Sequence, residues 1–135
     1  MKIAIVCAEF NSDITEKMLS AALAQAKKEG IEVAQIVRVP GALEIPFALN
    51  RLLSKKEIDG AATLGSVIQG QSEHDRLVAF TAAEKIVSLS LKYDKPVSLG
   101  ISGPRINKKQ ALARATEYGA RSIETLAKLN KNVKC

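Results

Sequence analysis

The stretch GSVIQGQSEHDRLV, from Gly65 to Val78, carries the only histidine in the chain. It begins in an uncharged, apolar run and passes through Gly70, a residue that lets the backbone turn tightly from a strand into a helix. The amides after Gly70 would be helix-start donors without partners, suited to a phosphate or a carboxylate. His74 falls in that first turn, at the positive end of the helix dipole. A neutral imidazole beside an anion site is what a general base needs. The same position also fits a solvent-facing histidine at a helix start. Ser72 and Asp75, in turn, have the S-x-x-D spacing of a capping box.

Three further residues have types that chemistry can use. Glu44 follows the rigid Pro40-Gly41 turn near the start of a helix, where it can complement the dipole or accept hydrogen bonds from a polyol or amine. Phe10, one of five aromatics, stands just past a strand, placed either to close the core or to stack on a planar ring. Arg114 lies about two turns into the last helix, roughly 10 Å along its axis. It is far from the loops of its own subunit, so it is either a solvated helix arginine or a bidentate phosphate contact for a neighbouring subunit.

The elements that must position these residues alternate along the chain. Ile3–Ala8, Ile31–Val39, Ala61–Ile68 and Pro96–Ile101 read as strands, the last broken by Ser102-Gly103-Pro104. Between them, a helix offers capping residues in Ser12–Glu16, repeats apolar residues at Met18, Leu19, Ala22, Leu23 and Ala26, and stops at Gly30. Leu43–Lys56 reads as a second helix with Pro46 in its first turn, and Ser72–Tyr93 as a third. Asn107 caps a long fourth helix with Ala111, Ala115, Ile123, Leu126 and Ala127 on one side. This order predicts a single domain over residues 1–135 with a three-layer, flavodoxin-like α/β fold, a four-stranded parallel sheet with helices on both faces. Right-handed crossovers put every strand-to-helix loop on one edge, where ligands of such sheets bind.

Composition narrows the function. The chain of 135 residues is 47% hydrophobic and 25% charged, an ordinary globular balance. No apolar run approaches the roughly 20 residues that cross a bilayer, and the start MKIAIVCAEF reads as a strand rather than a signal peptide. Cys7 and Cys135 make no disulfide framework, so a cytoplasmic protein is expected. The net charge of +6 sits wholly after residue 104, with eight basic residues against Glu117 and Glu124. With only Tyr118 interleaved, this predicts a solvated helix face or a phosphate-attracting subunit surface rather than a nucleic-acid site. Glycine-rich dinucleotide and P-loop motifs, a G-x-S-x-G elbow and an ordinary zinc ligand set are all missing from the sequence.

Five segments in order, AEFNSDIT, VPGALEIP, LGSVIQGQSEH, PVSLGI and the final-helix QALARA, resemble the lumazine synthase family. The resemblance runs from Ile3 to about Lys128, and ISGP with ARATEYGAR looks most like its archaeal branch. It implies condensation of 5-amino-6-(D-ribitylamino)uracil with 3,4-dihydroxy-2-butanone 4-phosphate, without metal or redox cofactor. His74 would be the general acid/base, and Phe10 would stack on the pyrimidine. Ser66, Val67 and Ile68 would line the pyrimidine pocket, with Ala42 and Glu44 receiving the ribityl chain. The amides of Gln71 and Ser72 would bind phosphate, joined by Arg114 of the adjacent subunit. Leu43 and Leu99 stand at ligand-side positions where the family commonly has aromatics. The family assembles as pentamers with sites between subunits, often as twelve pentamers in an icosahedral shell, and the compact chain favours the shell. An archaeal-type riboflavin synthase and a flavin- or lumazine-binding shell protein without turnover are the alternatives. The GQSEH motif speaks against the first, and the second would have no use for His74.

Overall fold

The computed structural model describes residues 1–133, so Lys134 and the expected terminal thiol Cys135 lie outside the described residues. Its elements are β1 (Lys2–Ala8), α1 (Ser12–Glu29), β2 (Glu32–Val39), a 3-10 turn (Ala42–Glu44) and α2 (Ile45–Leu53). They continue with β3 (Gly60–Ile68), α3 (His74–Tyr93), β4 (Val97–Ile106) and α4 (Lys108–Asn132). The strands form one parallel sheet in the order β2-β1-β3-β4. β1 and β3 are central and almost wholly buried, which is why their sequences run apolar without alternation.

Two hydrophobic layers cover the sheet. On one face Ile3, Ile5, Cys7, Ala62 and Leu64 pack against Ile14, Met18 and Ala22 of α1 and Ala115, Ile123 and Leu126 of α4. On the other, Ala4, Val6, Ala61 and Ile101 pack against Ile45 and Leu49 of α2 and Ala79, Ala82 and Ile86 of α3. The expected three-layer α/β architecture is therefore formed. Burial pushes the Cys7 thiol up to about 11, with the Glu16 carboxylate adding to the effect, so this cysteine is an inert core residue. Among the described residues no helix is long and apolar enough to cross a membrane.

Four local expectations are corrected. α1 is capped at Asn11, in the left-handed region at φ 61°, and not by the Ser12–Glu16 run. The Asn11 side chain makes no cap because its Nδ2 donates to the Ser66 carbonyl at 2.9 Å. The second helix does not begin at Leu43 but after the 3-10 turn, which brings Pro46 into the first α-turn, where its missing N–H costs nothing; it ends at Leu53, short of Lys56. The third helix starts at His74 and has no capping box, because Asp75 turns inward. Its Oδ2 accepts the Arg105 amide at 3.0 Å, while Ser72 Oγ takes only the His74 amide at 3.3 Å.

The fourth strand is not broken at Ser102. Its pairing with β3 runs in register to Ser66↔Ser102, slips, and resumes at Ile68↔Ile106. Val67 on β3 thus faces three residues of β4, and Gly103 absorbs the excess at φ +109°. A Cβ there would lie 2.3 Å from the Val67 carbonyl oxygen, so no other residue fits. The Asn107 cap is as expected, with the Gln110 amide donating to its Oδ1 at 2.8 Å and Gln110 Oε1 accepting the Asn107 amide at 3.0 Å.

α1 and α4 cross at close range at Gly119. A Cβ on Gly119 would stand 2.1 Å from the Met18 carbonyl oxygen, on backbone that cannot rotate away. Gly119→Ala should therefore destabilise the fold by about 3 kcal/mol, at the upper end of overpacking effects, despite the better helix propensity of alanine. Urea unfolding checks this, and a stability equal to the unmutated chain would show that the two helices can separate freely.

Candidate functional site

In a parallel sheet the chain order reverses between two neighbouring strands, and their diverging loops leave a crevice at the carboxyl ends. Here the reversal falls between β1, which leads outward to β2, and β3, which leads outward to β4. A cleft of about 540 Å³ lies at that point, within the size range of small-molecule sites. Its floor is Ala8 at the end of β1 and Ser66, Val67 and Ile68 at the end of β3. Phe10 and Asn11 form one side, the Gly41–Glu44 turn another, and Gly70, Ser72, His74, Asp75 and Val78 the third.

Most of the expected site residues thus meet. Phe10 is held by its amide, which donates to the Pro40 carbonyl at 2.9 Å, and its ring is 73% exposed. That settles the choice between core and surface, for Phe10 closes no core and lines the cleft. Ala42 is buried, whereas Leu43 and Glu44 are exposed along the same wall. Ser66 and Val67 are buried, and Ile68 is half-buried. His74 stands at the first residue of α3 with its side chain exposed on the cleft wall.

Three expected residues are not brought to this cleft. Gln71 lies in the loop before α3 but does not line it. Leu99 is 45% exposed on edge strand β4. Arg114 is exposed on α4, whose inward face is taken by Ala111 and Ala115, and among the described residues it makes no ion pair or hydrogen bond. Its distance along the helix was the geometric expectation, and a single chain does not overcome it.

Asn11 and Asp75 are cleft residues that sequence reasoning passed over. Asn11 lines the cleft and ties β1's loop to the end of β3 through Ser66. A signal for it was present, since asparagine tolerates the left-handed backbone needed at a strand-to-helix turn. The sequence offers Asp75 as half of a cap, and only tertiary structure shows that it is buried against the β4 bulge.

The arrangement can bind an anion and move protons. Among the described residues the Gln71 and Ser72 amides have no protein acceptor, so they remain available to a ligand at the mouth of α3. An imidazole, two carboxylates, two hydroxyls and an exposed aromatic ring share the cleft walls. No three His, Cys, Asp or Glu side chains among the described residues are grouped as a metal site would require.

Comparison with known proteins agrees with this chemistry. Residues 1–134 match the family described as 6,7-dimethyl-8-ribityllumazine synthase. The chain is 47% identical over 134 residues to the 6,7-dimethyl-8-ribityllumazine synthase of Pyrobaculum arsenaticum, covering 99% of this chain and 89% of that one. It is 45% identical over 128 residues to that of Staphylothermus marinus, covering 95% and 85%. With that of Methanobrevibacter smithii it shares 47% over 127 residues, covering 94% and 91%. A match of this extent, on a cleft assembled from the motifs themselves, places the chain in the 6,7-dimethyl-8-ribityllumazine synthase family.

Proposed function

We propose that the chain is a lumazine synthase acting in riboflavin biosynthesis. It joins 5-amino-6-(D-ribitylamino)uracil to 3,4-dihydroxy-2-butanone 4-phosphate and releases phosphate and water. The observation that carries this is the convergence of Phe10, Glu44, Ser66, Ser72 and His74 on one cleft at the sheet's switch point, in a chain of this family. The ring of the aminouracil stacks on Phe10 above Ser66, Val67 and Ile68, and its ribityl hydroxyls run toward Ala42, Leu43 and Glu44. The butanone phosphate anchors its anion on the Gln71 and Ser72 amides. The amine of one substrate then condenses with the ketone of the other to an imine, losing water. Elimination of phosphate follows, and the ribityl-bearing nitrogen then closes the second ring onto the remaining carbonyl, expelling a second water. Every one of these steps moves a proton, and His74 is the cleft's imidazole, placed beside the phosphate end.

The rest of the site comes from a neighbour. Leu99 and Arg114 are exposed away from their own cleft, and Phe47, Leu77, Phe80 and Leu91 on α2 and α3 are large apolar side chains left exposed by the single chain. Exposed apolar residues in this number on two neighbouring helices favour a protein partner. A ring of five copies of this one domain supplies it, with twelve such rings closing a shell in the cytoplasm. In that arrangement Arg114 of one subunit reaches the phosphate of the next as a bidentate donor, and Leu99 covers the ring beside Phe10.

Mixing the purified chain with both substrates should produce the absorbance of the lumazine, and a folded, assembled protein that yields none would refute the assignment. His74→Ala should lower kcat by about 100-fold or more, the usual contribution of a positioned acid/base, with assembly unchanged. Loss of assembly with normal turnover per folded subunit would instead make the imidazole structural. Arg114→Ala should raise KM for the butanone phosphate about tenfold through loss of a charge-assisted pair, leaving KM for the aminouracil in place. An unchanged KM for the phosphate substrate would remove Arg114 from the site.

A further inference from the structure

We infer that Ser102, which lies behind the cleft and does not line it, fixes the hydroxyl of Ser66 as a hydrogen-bond donor toward a ring carbonyl of the bound ligand. The inference rests on the proposed lumazine synthase activity for the identity of that ring. Ser66 and Ser102 are the last in-register pair of β3 and β4 before the bulge, so their side chains stand on the same face of the sheet. Their hydroxyls meet, with Ser102 Oγ 2.8 Å from Ser66 Oγ.

Donor accounting sets the direction of the bond. Ser102 is 0% exposed, and among the described residues its only acceptor is Ser66 Oγ. A buried hydroxyl that gives its proton to nothing costs about 1–3 kcal/mol, so Ser102 donates. Ser66 then receives on one lone pair, and its own proton must turn off that axis. No protein acceptor is recorded for it among the described residues, whereas its other side faces the cleft. The Ser66 main chain is pinned as well, by Asn11 Nδ2 on its carbonyl oxygen. A hydroxyl that is free in rotation can serve donor or acceptor, but one already accepting from a buried neighbour is biased to donate and is polarised to do so more strongly. Such a group favours a carbonyl oxygen at that point of a planar ring and disfavours a ring edge that presents N–H. Ser102 is a positioning residue in this scheme, acting only through Ser66.

A double-mutant cycle with two readouts tests it. With 6,7-dimethyl-8-ribityllumazine as the probe, Ser102→Ala should raise Kd about fivefold, the effect of one net hydrogen bond. The double variant Ser66→Ala/Ser102→Ala should bind no more weakly than Ser66→Ala alone. The second readout needs no ligand. Ser66→Ala leaves the Ser102 hydroxyl buried and unpaired, so it should lower the melting temperature more than Ser102→Ala does, and the double variant should regain part of the loss. A Ser102→Ala effect on Kd that persists in the Ser66→Ala background, or Ser102→Ala as the more destabilising change, would overturn the inference. If the unmutated chain neither forms nor binds the lumazine, the enzyme assignment fails and the ligand half of the inference with it, while the melting order still decides the direction of the hydroxyl pair.

Discussion

The register of β3 is the constraint on which the rest of the structure depends. β3 is paired along both edges, with β1 on one side and β4 on the other, so it cannot slide without breaking both ladders. A shift of one residue would exchange its two faces, driving Leu64 out of the α1–α4 layer and Val67 out of the α2–α3 layer. Because both faces are buried, neither exchange is tolerable. The strand therefore delivers Ser66, Val67 and Ile68 to the sheet edge at a fixed height, where β1 ends at Ala8 and the cleft begins. The bulge in β4 is part of the same device. It lets that strand follow β3 to Ile106 while its looped-out backbone offers the Arg105 amide to Asp75, which ties the first turn of α3 to the sheet.

The two helical layers do different work. On the α1–α4 side the packing is close, as the approach of Gly119 to Met18 demands, and most polar cross-links are at the rim, such as Lys108 to Asp13 at 2.9 Å. The Lys108 ammonium holds the exposed Asp13 carboxyl below its ordinary range, but a solvated pair of this kind adds little to stability. On the α2–α3 side the core is filled as well, by Ile45, Leu49, Leu53 and Ile86, but the outer faces also carry Phe47, Phe80 and Leu91 into solvent. Arg51 over Phe47 and Arg76 over Phe80 cover those rings in part. Both sides of the sheet thus complete a core, and the α2–α3 side in addition exposes large apolar side chains.

Fold class was legible in the sequence because buried parallel strands leave uncharged runs such as Ile3–Ala8 and Ala61–Ile68, and these survive any tertiary context. The Gly30 stop and the Asn107 cap were legible for the same reason, each being a local bond between neighbours. What could not be read is what depends on distant partners. Ser72 and Asp75 have the right spacing for a cap, yet Asp75 gains more from the Arg105 amide thirty residues away. Ser102-Gly103-Pro104 has the composition of a strand break, yet a bulge opposite Val67 absorbs it. The cleft's edge was recoverable from topology, and Phe10, Glu44 and His74 were recoverable as polar or aromatic residues on that edge, whereas Ser66, inside a buried strand, came only with the family resemblance. Asn11 was legible only as a residue suited to a left-handed turn, because its tie to the Ser66 carbonyl joins segments that are neighbours in space alone.

These two levels meet at His74. Its element begins only at the histidine itself, so the imidazole sits on the first turn with its side chain exposed. A base in that position is steady only as far as the turn beneath it is steady. That turn has no side-chain cap in the ordinary sense, and its fixed points are Asp75, anchored to the β4 bulge, and Ser72, accepting the His74 amide. The precision of the candidate base is therefore borrowed from β4, through one buried carboxylate. The same strand also supplies Ser102 beneath Ser66. In the proposed enzyme, an edge strand that contributes no residue to its own cleft would set both the proton-transfer end and the ring-binding end of the site.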